Sequence, residues 1–146
     1  MDLNNFSHGV GQNSYHLVWK PKYAWDVFKF PWVKQDCDAI LHEAADHFGI
    51  LIYELEIMPD HVHCFAEIPP TMSISKALNL LKGYSAFKLF AKHKWLRNYF
   101  RKGHFWSPGK CFRSVGNVTA EAIRNYIAQS NRETNRQQLL NRYSAL

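Results

Sequence analysis

Residues Ile50 to Ile68 read Ile-Leu-Ile-Tyr-Glu-Leu-Glu-Ile-Met-Pro-Asp-His-Val-His-Cys-Phe-Ala-Glu-Ile, two β-forming runs divided by Pro59-Asp60. Ile50, Ile52, Leu55 and Ile57 mark the first run, to Met58, as a strand. Pro59-Asp60 is a turn and His61 to Ile68 a second strand, which together predict a hairpin. Side chains alternate across a strand, so His61 and His63 face one side and Val62 the other. Imidazole suits Zn, Mn, Fe or Ni, and phosphate chemistry usually adds Mg or Mn, so the triplet alone leaves the metal open. Two histidines on a strand are also commonly plain polar residues, and the surroundings have to decide. A structural zinc site of His61, His63 and Cys64 is disfavoured, because adjacent strand residues point to opposite faces.

Working outward, Ser14 to Trp19 is rich in β-formers and closes at Lys20-Pro21, a strand expected mid-sheet or lining a site. Val33, Cys37, Ile40, Leu41, Ala44, Ala45 and Phe48 repeat at helical spacing, and Gly49 is placed to stop that helix. From Ser73 to about Ala91 a second helix is expected, with Gly83 read as an interruption that marks close backbone contact. Lys94 to Arg101 reads as a short helix or turn, and Gly103 to Trp106 and Cys111 to Val115 as extended pieces around Pro108-Gly109. Thr119 opens a last helix through Ile123, Tyr126 and Ile127. The order β-α-β-β-α-β-α predicts an α+β, ferredoxin-like (RRM-like) antiparallel sheet with helices on one face and a C-terminal helix bearing Tyr126. One domain spans 1–146, with 1–13 as an N-terminal arm and 132–146 as a polar helix or tail.

The 146 residues are 47% hydrophobic and 15% aromatic, which excludes a disordered or low-complexity chain. Eighteen Lys and Arg against twelve Asp and Glu fit a polyanionic partner without demanding one. Cys37, Cys64 and Cys111 form no Cys-x-x-Cys pattern, so a reduced, cytoplasmic setting is expected. No signal peptide and no stretch of about 18 apolar residues is present, so no membrane span is expected.

Tyr126 stands on the last helix with Gln129 and Ser130 about one turn on. A phenol with a pKa near 10 becomes a nucleophile once a metal or positive charge favours its phenolate, and it can then attack a phosphodiester. A helical tyrosine is more often an edge-of-core residue, and with seven tyrosines the chemistry alone does not choose among them. Tyr84, Tyr99 and Tyr143 are the alternatives. Lys20, Lys22, Lys82, Arg97, Arg101 and Lys102, interleaved with aromatic rings, are candidate DNA contacts, cations for phosphates and rings for bases.

Several of these pieces together resemble the single-tyrosine transposases of the IS-two-hundred and IS-six-hundred-and-five insertion-sequence group, which belong to the His-hydrophobic-His (HUH) endonucleases. The resemblance is carried by His16-Leu17-Val18-Trp19 with Lys22-Tyr23, Glu56 to His63, Leu81-Lys82-Gly83-Tyr84-Ser85, Trp106-x-Pro108, Cys111 to Val115, and Ile123 to Ile127. It implies a dimer, usually formed by joining sheets, in which the tyrosine helix of one subunit completes the metal site of the other. It also implies recognition of DNA hairpins near element ends, metal-dependent cleavage of single-stranded DNA, and a 5′-phosphotyrosine with a free 3′-hydroxyl that later attacks the second junction. Mg²⁺ or Mn²⁺ is the implied cofactor, held by His61, His63 and a third ligand. The group usually places a Gln four residues after the tyrosine, where this chain has Ser130. Gln129 is then the first choice, with Ser130 and Asn131 open. A domesticated palindrome-processing relative would carry the same chemistry. From another class, a non-catalytic ferredoxin-like nucleic-acid-binding module would bind without cutting and need no metal.

Overall fold

The computed structural model describes residues 4–6, 9–11, 13–109 and 111–115. Within the segment expected as an arm, two short strands, β1 (Asn4–Phe6) and β2 (Gly9–Gly11), pair antiparallel with each other. The main sheet follows: β3 (Ser14–Trp19), α1 (Pro31–Phe48), β4 (Leu51–Met58), β5 (His61–Glu67), α2 (Ile74–Lys92) and β6 (Cys111–Val115). Its strand order is β4-β5-β3-β6 with every neighbour antiparallel, the β-α-β-β-α-β arrangement expected. The last helix and its Tyr126, Gln129, Ser130 and Asn131, like the 132–146 tail, lie outside the described residues.

Local chemistry explains the boundaries. Pro31 starts α1, where its missing N–H is no loss. Gly49 ends α1 in the left-handed region at φ 73°, its N–H donating to the Ala45 carbonyl. Ser73 caps α2, its hydroxyl accepting from the Lys76 N–H at 3.0 Å. Gly83 does not interrupt α2, and a Cβ built there would meet nothing within 4 Å, so the expected close approach is absent. Glycine lowers helix propensity by about 1 kcal/mol, a cost that the packing of a long helix absorbs.

The β4–β5 hairpin forms with Pro59-Asp60 at its turn, and its register carries a bulge between Ile52 and Glu54. Ile52 pairs with Ala66, while Leu55 and Ile57 pair with Cys64 and Val62. Leu55 lies three positions after Ile52, an odd offset that would put them on opposite faces. The extra residue at the bulge brings both to the same one. That face, with Leu17 and Trp19 of β3 and Val62, Cys64 and Ala66 of β5, belongs to the core that holds Val33, Cys37 and Leu41 of α1 and Leu78, Leu81 and Leu89 of α2. α1 also packs on α2. The opposite face of β3 and β5 is left for His16, His61 and His63.

Candidate active site

His61 and His63 are fully buried, and alternation along β5 turns both away from the helices. Their Nε2 atoms converge to 2.8 Å. The other nitrogen of each ring is held as well. Asp60 Oδ1 lies 2.9 Å from His61 Nδ1. A carboxylate only accepts, so Nδ1 carries the proton and the neutral ring's Nε2 is a lone pair. His63 Nδ1 lies 3.1 Å from Nε2 of His16, across the β3–β5 pairing.

In sequence His16 stood in a strand and in a motif of the family resemblance with no role of its own, and the structure adds it to the cluster. It is 1% exposed and stacks on Phe65, its cross-strand partner, with centroids 4.6 Å apart. Burial, assisted by the positive charge of Arg113 on β6, lowers its pKa to about 4. The ring is therefore neutral near pH 7, when it can accept a hydrogen bond as readily as donate one.

Two convergent imidazole nitrogens, each braced from behind, fit a divalent cation. Neighbouring positions around a six-coordinate ion with bonds of about 2.1 Å lie about 3.0 Å apart, close to the 2.8 Å found. Bracing of the distal ring nitrogen by a carboxylate or other acceptor is the usual support of a metal-binding histidine. Among the described residues no group of three or more His, Cys, Asp or Glu is placed to hold an ion by itself. Gln129, Ser130 and Asn131, the candidates for a third ligand, and Tyr126 lie outside the described residues. Cys64 is buried on the helix face, and burial pushes its thiol up to about 12, so it stays protonated and is no ligand here.

The candidate DNA contacts fall on the loop after β3, on α2 and in the turns that follow α2. Lys20 follows β3 and its carbonyl accepts from the Ser107 N–H at 2.8 Å. Lys22 extends its ammonium to 5.7 Å from the Tyr23 ring. Lys82 donates to the carbonyls of Ser107 and Gly109 at 2.9 and 3.0 Å, a structural task that sequence reasoning did not foresee. Arg97 lies over the Phe90 ring at 4.8 Å, and Lys102 is exposed. Arg101 opens a 3₁₀ turn, Arg101–Gly103.

The strand-borne imidazole pair thus lies on a ferredoxin-like sheet, and comparison with known proteins shows the family. The family described as "Transposase IS200 like" matches residues 10–130. The ISDra2 transposase TnpA of Deinococcus radiodurans is 33% identical over 118 residues, covering 81% of this chain and 84% of that protein. The transposase for insertion sequence element IS200 of Salmonella typhimurium is 32% identical over 126 residues, 86% of this chain and 82% of its own. A crystal structure of a transposase from Deinococcus radiodurans R1 superposes with a TM-score of 0.70 at 30% identity, covering 86% of this chain and 96% of that one. A REP-associated tyrosine transposase bound to a REP hairpin shares the fold, with a TM-score of 0.54 at 11% identity over 84% of this chain and 67% of that one. The chain belongs to the IS200-like transposase family, enzymes that cut and rejoin DNA. No described helix is long and apolar enough to cross a membrane.

Proposed function

We propose that this transposase acts on single-stranded DNA carrying end hairpins, through a 5′-phosphotyrosine on Tyr126 and a divalent cation, Mg²⁺ or Mn²⁺, held by His61 and His63. The observation that carries the reading is the 2.8 Å convergence of the two Nε2 atoms with Asp60 and His16 behind them. Gln129 is the proposed third ligand, with Ser130 and Asn131 as the other candidates. A cation held there would polarise the scissile phosphate and stabilise the charge that develops on it.

The remaining steps belong to the chain's own groups. The Tyr126 oxygen bonds to phosphorus while its proton passes to water, and the bond to the 3′-oxygen breaks as that oxygen takes a proton from water, leaving a 3′-hydroxyl. The phosphotyrosine conserves the phosphodiester bond energy, so that a second 3′-hydroxyl can reverse the exchange on another strand without a high-energy cofactor. Asp60 fixes the His61 tautomer. His16 accepts from His63 Nδ1, which frees His63 Nε2 as a lone pair. Lys20, Lys22, Lys82, Arg97, Arg101 and Lys102 are the proposed DNA contacts. The active unit is a homodimer, its site completed in trans by the partner's tyrosine helix.

A 5′-labelled strand bearing an end hairpin from the source element tests this directly. Mg²⁺ or Mn²⁺ should support cleavage, chelator should abolish it, and His61→Ala and His63→Ala should each lose it. Cleavage that persists in chelator or in both variants contradicts the reading, and tight binding without cleavage would favour a nucleic-acid-binding module instead.

A further inference from the structure

Away from the histidine pair, a groove of about 500 Å³ runs between α2 and the turn that follows Arg97. Phe90, Phe105 and Trp106 lie buried beneath it, whereas Phe87, which also lines it, is 71% exposed. Arg97 and His104 are exposed at its edge, and no Asp or Glu lines it.

The wall is held in place. Lys82 clamps the carbonyls of Ser107 and Gly109, Trp106 Nε1 donates to Ser85 Oγ at 2.9 Å, and the Lys22 N–H donates to the Phe105 carbonyl at 2.7 Å. It is also tied to the sheet end that carries the imidazoles. Ser107 bonds to Lys20, which follows Trp19, and Trp19 pairs with Val62, between His61 and His63. The groove wall and the strand that carries the imidazoles are thus joined through the end of β3.

A flat apolar ring at the edge, a guanidinium and an imidazole beside it and no acid call for a ligand that has both a π-face and a negative charge. An apolar protein side chain would leave Arg97 and His104 unanswered, and a free anion would make no use of Phe87. A nucleotide uses both, its base stacking on the ring and its phosphate meeting the guanidinium and the imidazole.

We propose that this groove binds an unpaired nucleotide of the DNA strand, the base against Phe87 and the phosphate at Arg97 and His104. The inference rests on the single-strand reading above and deepens it by naming where unpaired DNA is held.

Fluorescein-labelled oligothymidylate, titrated with the full chain and read by anisotropy beside a blunt duplex, tests it. Phe87 is exposed, so Phe87→Ala is expected to fold, with circular dichroism as the check. Phe87→Ala and Arg97→Gln should each weaken oligothymidylate binding about ten-fold, the effect of losing one stacked base or its phosphate contact, while Phe87→Ala leaves duplex affinity unchanged. Wild-type binding by both variants, no binding by the wild type, or equal loss on duplex and single strand would each overturn the proposal. Failure of the wild type to cleave hairpin-bearing DNA, with groove-dependent oligothymidylate binding intact, would instead overturn the transposition chemistry alone.

Discussion

Nε2 of His16 on β3 lies 3.1 Å from Nδ1 of His63 on β5, so a residue 47 positions away governs which nitrogen of His63 carries a proton. Without a cation, one consistent proton chain runs from His16 Nε2–H to His63 Nδ1, from His63 Nε2–H to His61 Nε2, and from His61 Nδ1–H to Asp60. Cation binding requires His63 to move its proton to Nδ1, with His16 as acceptor. His16→Phe keeps the stacking on Phe65 and removes that acceptor. It should weaken Mn²⁺ binding about 10- to 100-fold in calorimetry, the usual effect of losing such a brace. Unchanged affinity in a folded His16→Phe protein would deny His16 this role.

Lys82 should matter to stability. Its ammonium joins α2 to the carbonyls of Ser107 and Gly109. Charge-assisted bonds contribute up to about 3 kcal/mol each when buried, and partial exposure brings the pair down to about 1 kcal/mol. Lys82→Met should lower the unfolding free energy by about that amount in urea titration and speed proteolysis near Gly109. A neutral substitution would mean that the clamp contributes nothing.

Asp36 on α1 receives hydrogen bonds from Lys92 at 2.9 Å and His93 at 2.6 Å, at the far end of α2. Partial burial raises its pKa, but the bonds from Lys92 and His93 outweigh that and leave it below the ordinary carboxylate value. A lowered folded value means the unfolded chain binds the proton more tightly. The stabilisation is thus present above the unfolded carboxylate pKa, about 3.9, and is lost as pH falls through the folded value. Asp36→Asn should cost under about 1 kcal/mol at pH 7, since partly solvated pairs are screened, and the difference from wild type should shrink as pH falls below the unfolded carboxylate value in thermal melts. A difference that grows on acidification would contradict the sign.

Cys37 and Cys64 are fully buried, and desolvation raises both thiols, Cys64 to about 12. The thiolate is the reactive form. Neither residue should be alkylated by iodoacetamide at pH 7.5 in the native protein, and both should react in denaturant, as read by peptide mass spectrometry. Rapid native labelling of Cys64 would show that the sheet opens there.

The hairpin was legible because Pro59-Asp60 punctuates two apolar runs, and alternation alone put His61 and His63 on one face. The bulge was not read from the sequence, because the extra residue between Ile52 and Leu55 shows only when the partner strand supplies the register. Gly83 misled because propensity is a local quantity, whereas α2 is held by Leu78, Leu81 and Leu89 in the core. His16 and Lys82 could not be assigned from sequence, since their partners lie 47 and 25 or more positions away and no local pattern encodes them. Phe87 reads in sequence as one more apolar residue of a helix, and only the packed structure leaves it 71% exposed.

The covalent intermediate is the most direct test of the account. Wild type and Tyr126→Phe are incubated with a labelled hairpin-bearing single strand and Mn²⁺, then separated under denaturing conditions, with peptide mass spectrometry to locate the linkage. The account predicts a metal-dependent DNA adduct on Tyr126 that the phenylalanine variant does not form. An adduct that survives Tyr126→Phe, or one mapped to Tyr84, Tyr99 or Tyr143, would contradict it.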